Sequence, residues 1–182
     1  ADRKGFKGLP PYLTALSADR KALDEFLDRM TINVSQLWRN PEQWARLQAE
    51  IVPELAADGV LRAWSAGCSY GAEAYTLAAI GREVAPGARL EILGTDIDKR
   101  MVERAREGRF TADDARSAPR QLLDRWFEQD ANGWQAKPVL RTLVRFEVGD
   151  LLRMTLPKEH YDLVLCRNTV IYFNEDVRDE LH

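Results

Sequence analysis

The sequence predicts an α/β fold whose core is a doubly wound parallel sheet. Two observations lead to this prediction. Residues 60–96 show a strand, a glycine-bearing turn, a helix and a second strand that ends in an acid, and strand and helix patterns keep alternating beyond them. Strands that alternate with helices pack into parallel sheets with the helices on their faces. A unit of this kind is typical of a pocket for a nucleotide-like cofactor.

The first sixty residues are predicted to be helical. Apolar residues at helical spacing predict a helix over residues 22–30, at Leu23, Phe26, Leu27 and Met30. Asn40 and Pro41 then supply a cap and a proline at the first helical position of a second helix, which ends before Gly59. Its inward positions are Trp44, Leu47, Ile51 and Leu55.

Four parallel strands are predicted beyond this region, at residues 61–65, 90–95, 144–148 and 161–166. Helices are predicted at residues 72–84 and 99–107, where Gly108 ends the second one, with a short helix near 119–127. The last strand would have nothing beside it, which is an aggregation hazard for an apolar strand. We therefore expect the native protein to continue past His182 with C-terminal strands that this chain lacks.

The alternating pattern is interrupted between Phe110 and Leu143. Residues 130–133 read Asp-Ala-Asn-Gly, which is a strong turn signal, and Trp134 follows it directly. We therefore predict a small antiparallel β subdomain inserted near residues 130–143.

Composition limits the classes of function. The chain has 182 residues, of which 45% are hydrophobic and 30% are charged, and its net charge is −3. No basic surface for nucleic acid is indicated, and no apolar run approaches the length of a membrane span. Cys68 and Cys166 are the only cysteines and are interpreted as free thiols of a reducing compartment. We expect a cytoplasmic protein without a metal site.

The turn after the first predicted strand indicates the type of cofactor. It contains Gly67 and Gly71 and lacks the dinucleotide fingerprint G-x-G-x-x-G, so a pyrophosphate cradle is not well formed. Asp96, at the tip of the second strand, can accept both hydrogen bonds of a ribose diol. A cofactor with a ribose but no phosphate fits better, which indicates S-adenosylmethionine. The alternative role for Asp96 is a cap on the following helix.

Four segments share the order and spacing of motifs in one known family. They are residues 31–39, 64–76, 95–98 and 166–173. Together they resemble the CheR-type chemotaxis-receptor methyltransferases, from about Gly5 to the last residue. The resemblance implies a partial N-terminal helical domain with its linker at residues 1–40, and a Rossmann-like S-adenosylmethionine-binding catalytic domain at residues 41–182. It also implies that glutamate side chains on the cytoplasmic domain of chemoreceptors are methylated for sensory adaptation. We expect the protein to be a monomer.

The resemblance also implies a set of site residues. Arg39 and Tyr172 correspond to active-site residues. The positions similar to cofactor-binding ones are Asn33, Ser35, Arg39, Gly67, Glu73, Asp96, Asp150, Leu151, Asn168 and Thr169. By the same motifs, Glu73 belongs to the methionine portion of the cofactor and Asp96 to the ribose. Asp150 and Leu151 belong beside the adenine.

Several of these residues also have an ordinary structural interpretation. Arg39 can form a salt bridge on a loop. Glu73 lies in the first turn of its predicted helix, where the helix dipole favours any carboxylate. Tyr172 can be a half-buried aromatic residue at a strand end, and Asp150 can be a turn residue.

The glycine turn departs from the family pattern at three positions. Tyr70 replaces a threonine, and Ala72 and Ala74 replace a glutamate and a proline. These changes motivate an alternative, a catalytically degenerate module that keeps the fold and binds a signalling partner. A small-molecule methyltransferase is a further alternative. Docking of a receptor tail peptide on residues 134–141 stays open.

Overall fold

The chain divides into two compact units, Ala1–Val34 and Ser35–His182. The computed structural model describes residues 11, 19, 35–151, 153 and 160–167. The helix predicted at residues 22–30 lies outside the described residues. The strands, and the helices from Pro41 onward, belong to the second unit.

The second unit begins with a helical region. It consists of the α-helices Pro41–Arg46 and Val52–Leu55, joined by a π-helical segment, Leu47–Ile51. Asn40 occupies the capping position with a left-handed backbone, φ 60°, and its side chain makes no capping bond. The predicted helix start is therefore confirmed. Asn40 is the N-cap residue, as predicted, but its Oδ1 accepts a hydrogen bond from Arg167 and not from a helix amide.

The central sheet has four parallel strands among the described residues. They are β1 (Val60–Ala66), β2 (Arg89–Asp96), β6 (Val144–Val148) and β7 (Leu163–Leu165). Their order is β6-β2-β1-β7, and every neighbouring pair is parallel. The predicted parallel α/β architecture is confirmed. β7 is shorter than the predicted 161–166 strand, because only residues 163–165 pair with β1.

Two helices that cover this sheet have the bounds that the sequence predicts. Ala72–Val84 follows β1, and Lys99–Glu107 follows β2. Asp98 caps the second helix by accepting a hydrogen bond from Arg100 N at 2.9 Å, and Gly108 ends it with φ 65°. Glycine tolerates this left-handed conformation, so the helix stops there. Across the described ranges, no helix combines the length and the apolar character that a membrane crossing requires.

The main core is formed by residues from the sheet, its helices and the entering helical region. Its largest fully buried side chains include Trp44, Tyr75 and Phe127. The inward positions predicted for the first helical region differ in depth. Trp44 and Leu47 are buried, whereas Ile51 and Leu55 pack at the margin of the core.

A second, antiparallel sheet has three strands within the part of the chain that the structure describes. They are β3 (Arg109–Phe110), β4 (Phe127–Asp130) and β5 (Gly133–Ala136), in the order β3-β5-β4. β4 and β5 form the hairpin that the Asp-Ala-Asn-Gly turn predicts. The strands begin before the predicted 130–143 range, because β3 and β4 both precede the turn. Short helices flank the hairpin at Arg120–Trp126 and Pro138–Arg141.

Candidate functional site

The chain makes a tight turn, residues 67–71, where β1 ends. Gly67 N donates to Thr95 O at 2.8 Å, so the turn folds back onto the end of β2. Three alternate residues have positive φ: Gly67 at 76°, Ser69 at 50° and Gly71 at 85°. Glycine adopts this conformation freely, but for serine it costs about 1 kcal/mol or more. Such strain persists only where surrounding contacts fix the backbone.

Asp96, the last residue of β2, fixes this turn. One carboxylate oxygen accepts a hydrogen bond from Ser69 N at 2.7 Å, and the other accepts one from Asp98 N at 2.9 Å. The alternative role of capping the next helix belongs to Asp98. Burial raises the pKa of Asp96, and the backbone hydrogen bonds that it accepts act in the opposite direction. A carboxylate has about four acceptor positions, so Asp96 keeps capacity for a ligand.

Ser69 contributes a buried hydroxyl to the same turn. Its Oγ has no hydrogen-bond partner within the described part of the chain, in a residue that is only 9% exposed. An unsatisfied buried polar atom typically costs about 1–3 kcal/mol. This hydroxyl, the acceptor capacity of Asp96 and the small residue Gly67 suit a ligand with several polar groups, such as a ribose diol. The residues present therefore fit the ribose portion of S-adenosylmethionine.

Glu73 provides a second buried acid, in the first turn of the helix Ala72–Val84. Its Oε1 accepts a hydrogen bond from Ser65 Oγ at 2.7 Å, and its Oε2 lies 3.6 Å from Arg167 Nη1. Burial raises the pKa of Glu73 more than the Ser65 bond and the charges of Arg167 and Arg39 lower it. A buried carboxylate with a raised pKa and specific charge partners is a candidate for a functional group.

Arg167 pairs with Glu73 and links it to a second arginine, Arg39, from another part of the chain. Arg167 follows β7, and its Nη2 donates to Arg39 O and to Asn40 Oδ1, both at 2.9 Å. The same guanidinium lies 5.3 Å from the ring centre of Trp44. Arg39 is half-buried, and its charge acts on Glu73. The turn at residues 37–40 is therefore brought to the carboxyl ends of β1 and β7.

Arg167 is a candidate site residue that the sequence patterns do not assign. A signal was present, since the residue belongs to segment 166–173 and follows a parallel strand, where ligand-contacting side chains collect. The side chain is only 20% exposed, which an arginine tolerates when it is paired. Its partner Glu73 is remote in sequence, so spacing alone does not reveal the pair.

Three of the remaining predicted site residues belong to the described part of the chain, and four do not. Asp150 and Leu151 follow β6, and the preceding Gly149 N donates to Asp96 O at 2.9 Å, which holds this segment beside the end of β2. Ser35 is half-buried in the segment that leads to Arg39. Four others lie outside the described residues: Asn33, Asn168, Thr169 and Tyr172.

A cavity of about 490 Å³ lies away from these residues. Its lining includes Leu90 and Val144, from the starts of β2 and β6, together with Arg62, Glu91 and Tyr161. In open α/β sheets the ligand binds beyond the carboxyl ends of the strands, which is the opposite end of the sheet. None of the lining residues is a predicted site residue, so this cavity is not part of the candidate site.

Comparison with protein families identifies the family to which the chain belongs. The family model described as CheR methyltransferase, SAM binding domain, matches residues 33–182. The chain belongs to the CheR methyltransferase family. The predicted family resemblance is confirmed, and the matched range contains every described residue of the candidate site.

Relatives of known name match most of the chain. It is 34% identical to the chemotaxis protein methyltransferase of Listeria monocytogenes, over 94% of this chain and 66% of that protein. It is 32% identical to the protein of the same name from Borreliella burgdorferi, over 98% of this chain and 68% of that protein. The chain therefore spans about two thirds of the length of these relatives. Among solved structures, the methyltransferase domain of a bacterial CtHen1 matches with a TM-score of 0.45 and 14% identity, over 76% of this chain and 57% of that chain.

Proposed function

We propose that the chain is part of an S-adenosylmethionine-dependent methyltransferase that esterifies glutamate side chains on the cytoplasmic domain of chemoreceptors. The observation that carries this proposal is the meeting of three features at the carboxyl ends of β1, β2 and β7. They are the glycine turn with the buried Ser69 hydroxyl, the strand-end acid Asp96, and Glu73 with its two arginines. Membership of the CheR family and the names of the relatives support the same reaction.

Different residues would hold different parts of the cofactor. We assign the ribose to Asp96, the methionine portion to Glu73, and the adenine to Asp150 and Leu151. The family resemblance adds Asn33, Ser35, Arg39, Gly67, Asn168 and Thr169. When bound, S-adenosylmethionine supplies a methyl group on a positively charged sulfur, which a carboxylate oxygen accepts as the bond to sulfur breaks.

The substrate carboxylate needs orientation rather than activation. A glutamate side chain has a pKa of about 4.3 and is ionised at pH 7, so no general base is required. Arg39 can hold one carboxylate oxygen through its planar guanidinium and leave the other free to react. Excluding water from the reacting oxygen and holding it in line lowers the barrier by desolvation and proximity. Tyr172 is proposed to support the site by a hydroxyl contact.

Transfer of a labelled methyl group to receptor-containing membranes tests this proposal. Arg39→Ala should lower kcat/KM by about a hundredfold or more while the affinity for S-adenosylhomocysteine stays within about tenfold, because most cofactor contacts come from elsewhere. Arg39→Lys should recover only part of the loss, since an ammonium lacks the bidentate fork. The matched control is Arg46→Ala, which removes an exposed helical pair with Glu50 and should leave kcat/KM unchanged. Near-normal methylation by Arg39→Ala would return Arg39 to a structural role.

Calorimetric titration with S-adenosylhomocysteine separates this enzyme from a module that only keeps the fold. Ala72 and Ala74 are fully buried and Tyr70 is 3% exposed, so the three departures from the family pattern occupy packed positions. This packing supports an intact turn. No binding by the wild-type chain would favour the signalling module. Binding accompanied by methyl transfer to small molecules, and not to receptor membranes, would favour a small-molecule methyltransferase.

A further inference from the structure

Tyr70, the largest departure from the family pattern in the glycine turn, is packed inside the molecule. Its ring centre lies 6.2 Å from that of Phe110, and the Arg104 guanidinium lies 3.9 Å from the Tyr70 ring centre. The Tyr70 hydroxyl donates to Asp114 Oδ1 at 2.8 Å and also contacts the backbone oxygen of Ser35. The side chain therefore joins the glycine turn to the segment that leads to Arg39.

Asp114 is itself held in place by several contacts. Its Oδ2 accepts hydrogen bonds from Arg104 Nη2 at 2.9 Å and from Thr111 N at 2.8 Å. Its backbone oxygen accepts a hydrogen bond from Leu37 N at 2.9 Å. Asp114 thus binds both the Tyr70 hydroxyl and the backbone of Leu37, two residues after Ser35. Burial and the Asp114 carboxylate raise the pKa of Tyr70, so its hydroxyl stays a donor at physiological pH.

The segment 35–39 needs such contacts because its backbone is strained. Trp38 has φ 53°, and the next residue but one, Asn40, has φ 60°. Left-handed backbone costs about 1–2 kcal/mol per residue outside glycine, with asparagine the more tolerant of the two. Trp38 N is fixed by a hydrogen bond to Thr76 Oγ1 at 3.1 Å. Strained conformations persist when the surrounding structure over-determines them, and the Tyr70 and Asp114 contacts supply further constraints.

We propose that Tyr70 and Asp114 are positioning residues that clamp the segment 35–39 onto the glycine turn. The clamp holds Arg39 at the candidate site, where its backbone oxygen accepts a hydrogen bond from Arg167, the ion-pair partner of Glu73. Tyr70 lies directly between Ser69, whose amide is bound by Asp96, and Gly71, so one side chain connects the cofactor turn to the segment that carries Arg39. Preorganised side chains do not have to be ordered when ligands bind, which improves both binding and catalysis. The catalytic consequence of this clamp rests on the proposed function, whereas the clamp itself does not.

Amide hydrogen exchange in the ligand-free chain tests the clamp directly. Tyr70→Phe keeps the ring and removes only the hydroxyl, and Asp114→Asn weakens the acceptor that this hydroxyl uses. Both variants should speed exchange at the Leu37 and Trp38 amides by about three- to tenfold, the range that one lost hydrogen bond produces. The matched control is Tyr75→Phe, which removes another buried hydroxyl, bound to Ala105 O at 3.2 Å, and should leave those two amides unchanged.

Kinetics then test whether the clamp acts through Arg39. Tyr70→Phe should lower kcat/KM for methyl transfer about three- to tenfold, and the loss should disappear in the Arg39→Ala background. Wild-type exchange at Leu37 and Trp38 in both Tyr70→Phe and Asp114→Asn would overturn the proposal. An equal kinetic loss in the presence and absence of Arg39 would also overturn it. If the wild-type chain does not bind S-adenosylhomocysteine, the proposed function fails, and the exchange measurement still decides the clamp.

Discussion

The pKa values of acidic residues are shifted in opposite directions at the two sheets of this protein. At the carboxyl edge of the parallel sheet, burial raises the pKa of both Glu73 and Asp96. In the antiparallel hairpin, Arg109 lowers the pKa of Asp130 through a hydrogen bond of 2.8 Å. The Asn132 amide, also at 2.8 Å from Asp130, acts in the same direction.

The opposite pKa shifts distinguish the two acids proposed to bind the cofactor from an acid whose partners all belong to the fold. Asp130 is exposed, and its carboxylate accepts hydrogen bonds from Arg109 and from the Asn132 amide, in and beside its own hairpin. Its interactions are therefore complete without a ligand. Glu73 and Asp96 lose hydration, and their protein donors offset only part of that loss. Buried acids of this kind are expected where a ligand completes their interactions, and so is the Ser69 hydroxyl, which has no hydrogen-bond partner among the described residues.

The largest effects in this comparison are expected from one glycine in each region. A Cβ at Gly133 would lie 2.2 Å from the backbone oxygen of Phe110, whereas a Cβ at Gly71 would lie 2.8 Å from a side-chain atom of Phe146. Both glycines have positive φ. Gly133→Ala should therefore lower the free energy of unfolding by about 3 kcal/mol or more, and Gly71→Ala by less, because a side chain can move. Urea denaturation measures the free energy of unfolding of both variants. Gly87→Ala is the control, since a Cβ added at Gly87 would have nothing within 4 Å. A larger loss of unfolding free energy for Gly71→Ala than for Gly133→Ala would contradict this prediction.

The next effect concerns the strand-end acid. Asp96→Ala should weaken S-adenosylhomocysteine binding by about 2–3 kcal/mol, because hydrogen bonds to a charged acceptor are lost. Asp96→Asn keeps one acceptor oxygen and should fall between the alanine variant and the wild type. Calorimetric titration measures both affinities. Circular dichroism checks that loss of the hydrogen bond from Ser69 N has not unfolded the chain. Unchanged affinity in Asp96→Ala would reject the ribose assignment.

The regular part of the fold could be predicted from local signals. The helices Ala72–Val84 and Lys99–Glu107 match their predicted bounds, because Gly71, Asp98 and Gly108 mark their ends by backbone conformation or capping. The π-helical segment Leu47–Ile51 could not be predicted, since its apolar spacing is also that of an α-helix. Strand limits at the sheet edge depend on partners, which the sequence of one strand does not contain.

The site could be predicted only where a motif names a residue. The position of Asp96 at a strand end makes it a candidate, and the structure adds the hydrogen bond that it accepts from Ser69 N. The pairing of Glu73 with Arg167 and the inward packing of Tyr70 depend on contacts between segments remote in sequence. Such contacts arise from the tertiary fold and leave no spacing pattern.

A smaller and pH-dependent effect is expected at Glu73. The pKa of Glu73 in the folded state lies above its ordinary value of 4.5, so folding disfavours the ionised form. The stability of the fold therefore falls as the pH rises from 4.5 through the folded-state pKa. Glu73→Gln lacks this titration and can still accept the Ser65 hydrogen bond. The melting temperature of Glu73→Gln minus that of the wild type should therefore increase as the pH is raised from below 4.5 to neutral. The same variant should bind S-adenosylhomocysteine about tenfold more weakly, because a charged acceptor is lost. A stability difference independent of pH would show that burial of the charge is not the cause.

The smallest effect is expected at Asp130, the structural acid of the comparison. Its lowered pKa means that it stabilises the fold above the ordinary value of 3.8 and that this contribution is lost as the pH falls through the folded-state pKa. Asp130→Asn should therefore be slightly less stable than the wild type at neutral pH, and the difference should vanish in acid. The Asn132 amide keeps an acceptor, and the pair with Arg109 is exposed, so the loss is small. Affinity for S-adenosylhomocysteine should stay within about twofold of the wild type, since the hairpin contributes no residue to the candidate site. Thermal melts and titration of this variant beside Glu73→Gln test the contrast, and a cofactor defect as large as that of Glu73→Gln would show that the hairpin acid belongs to the site after all.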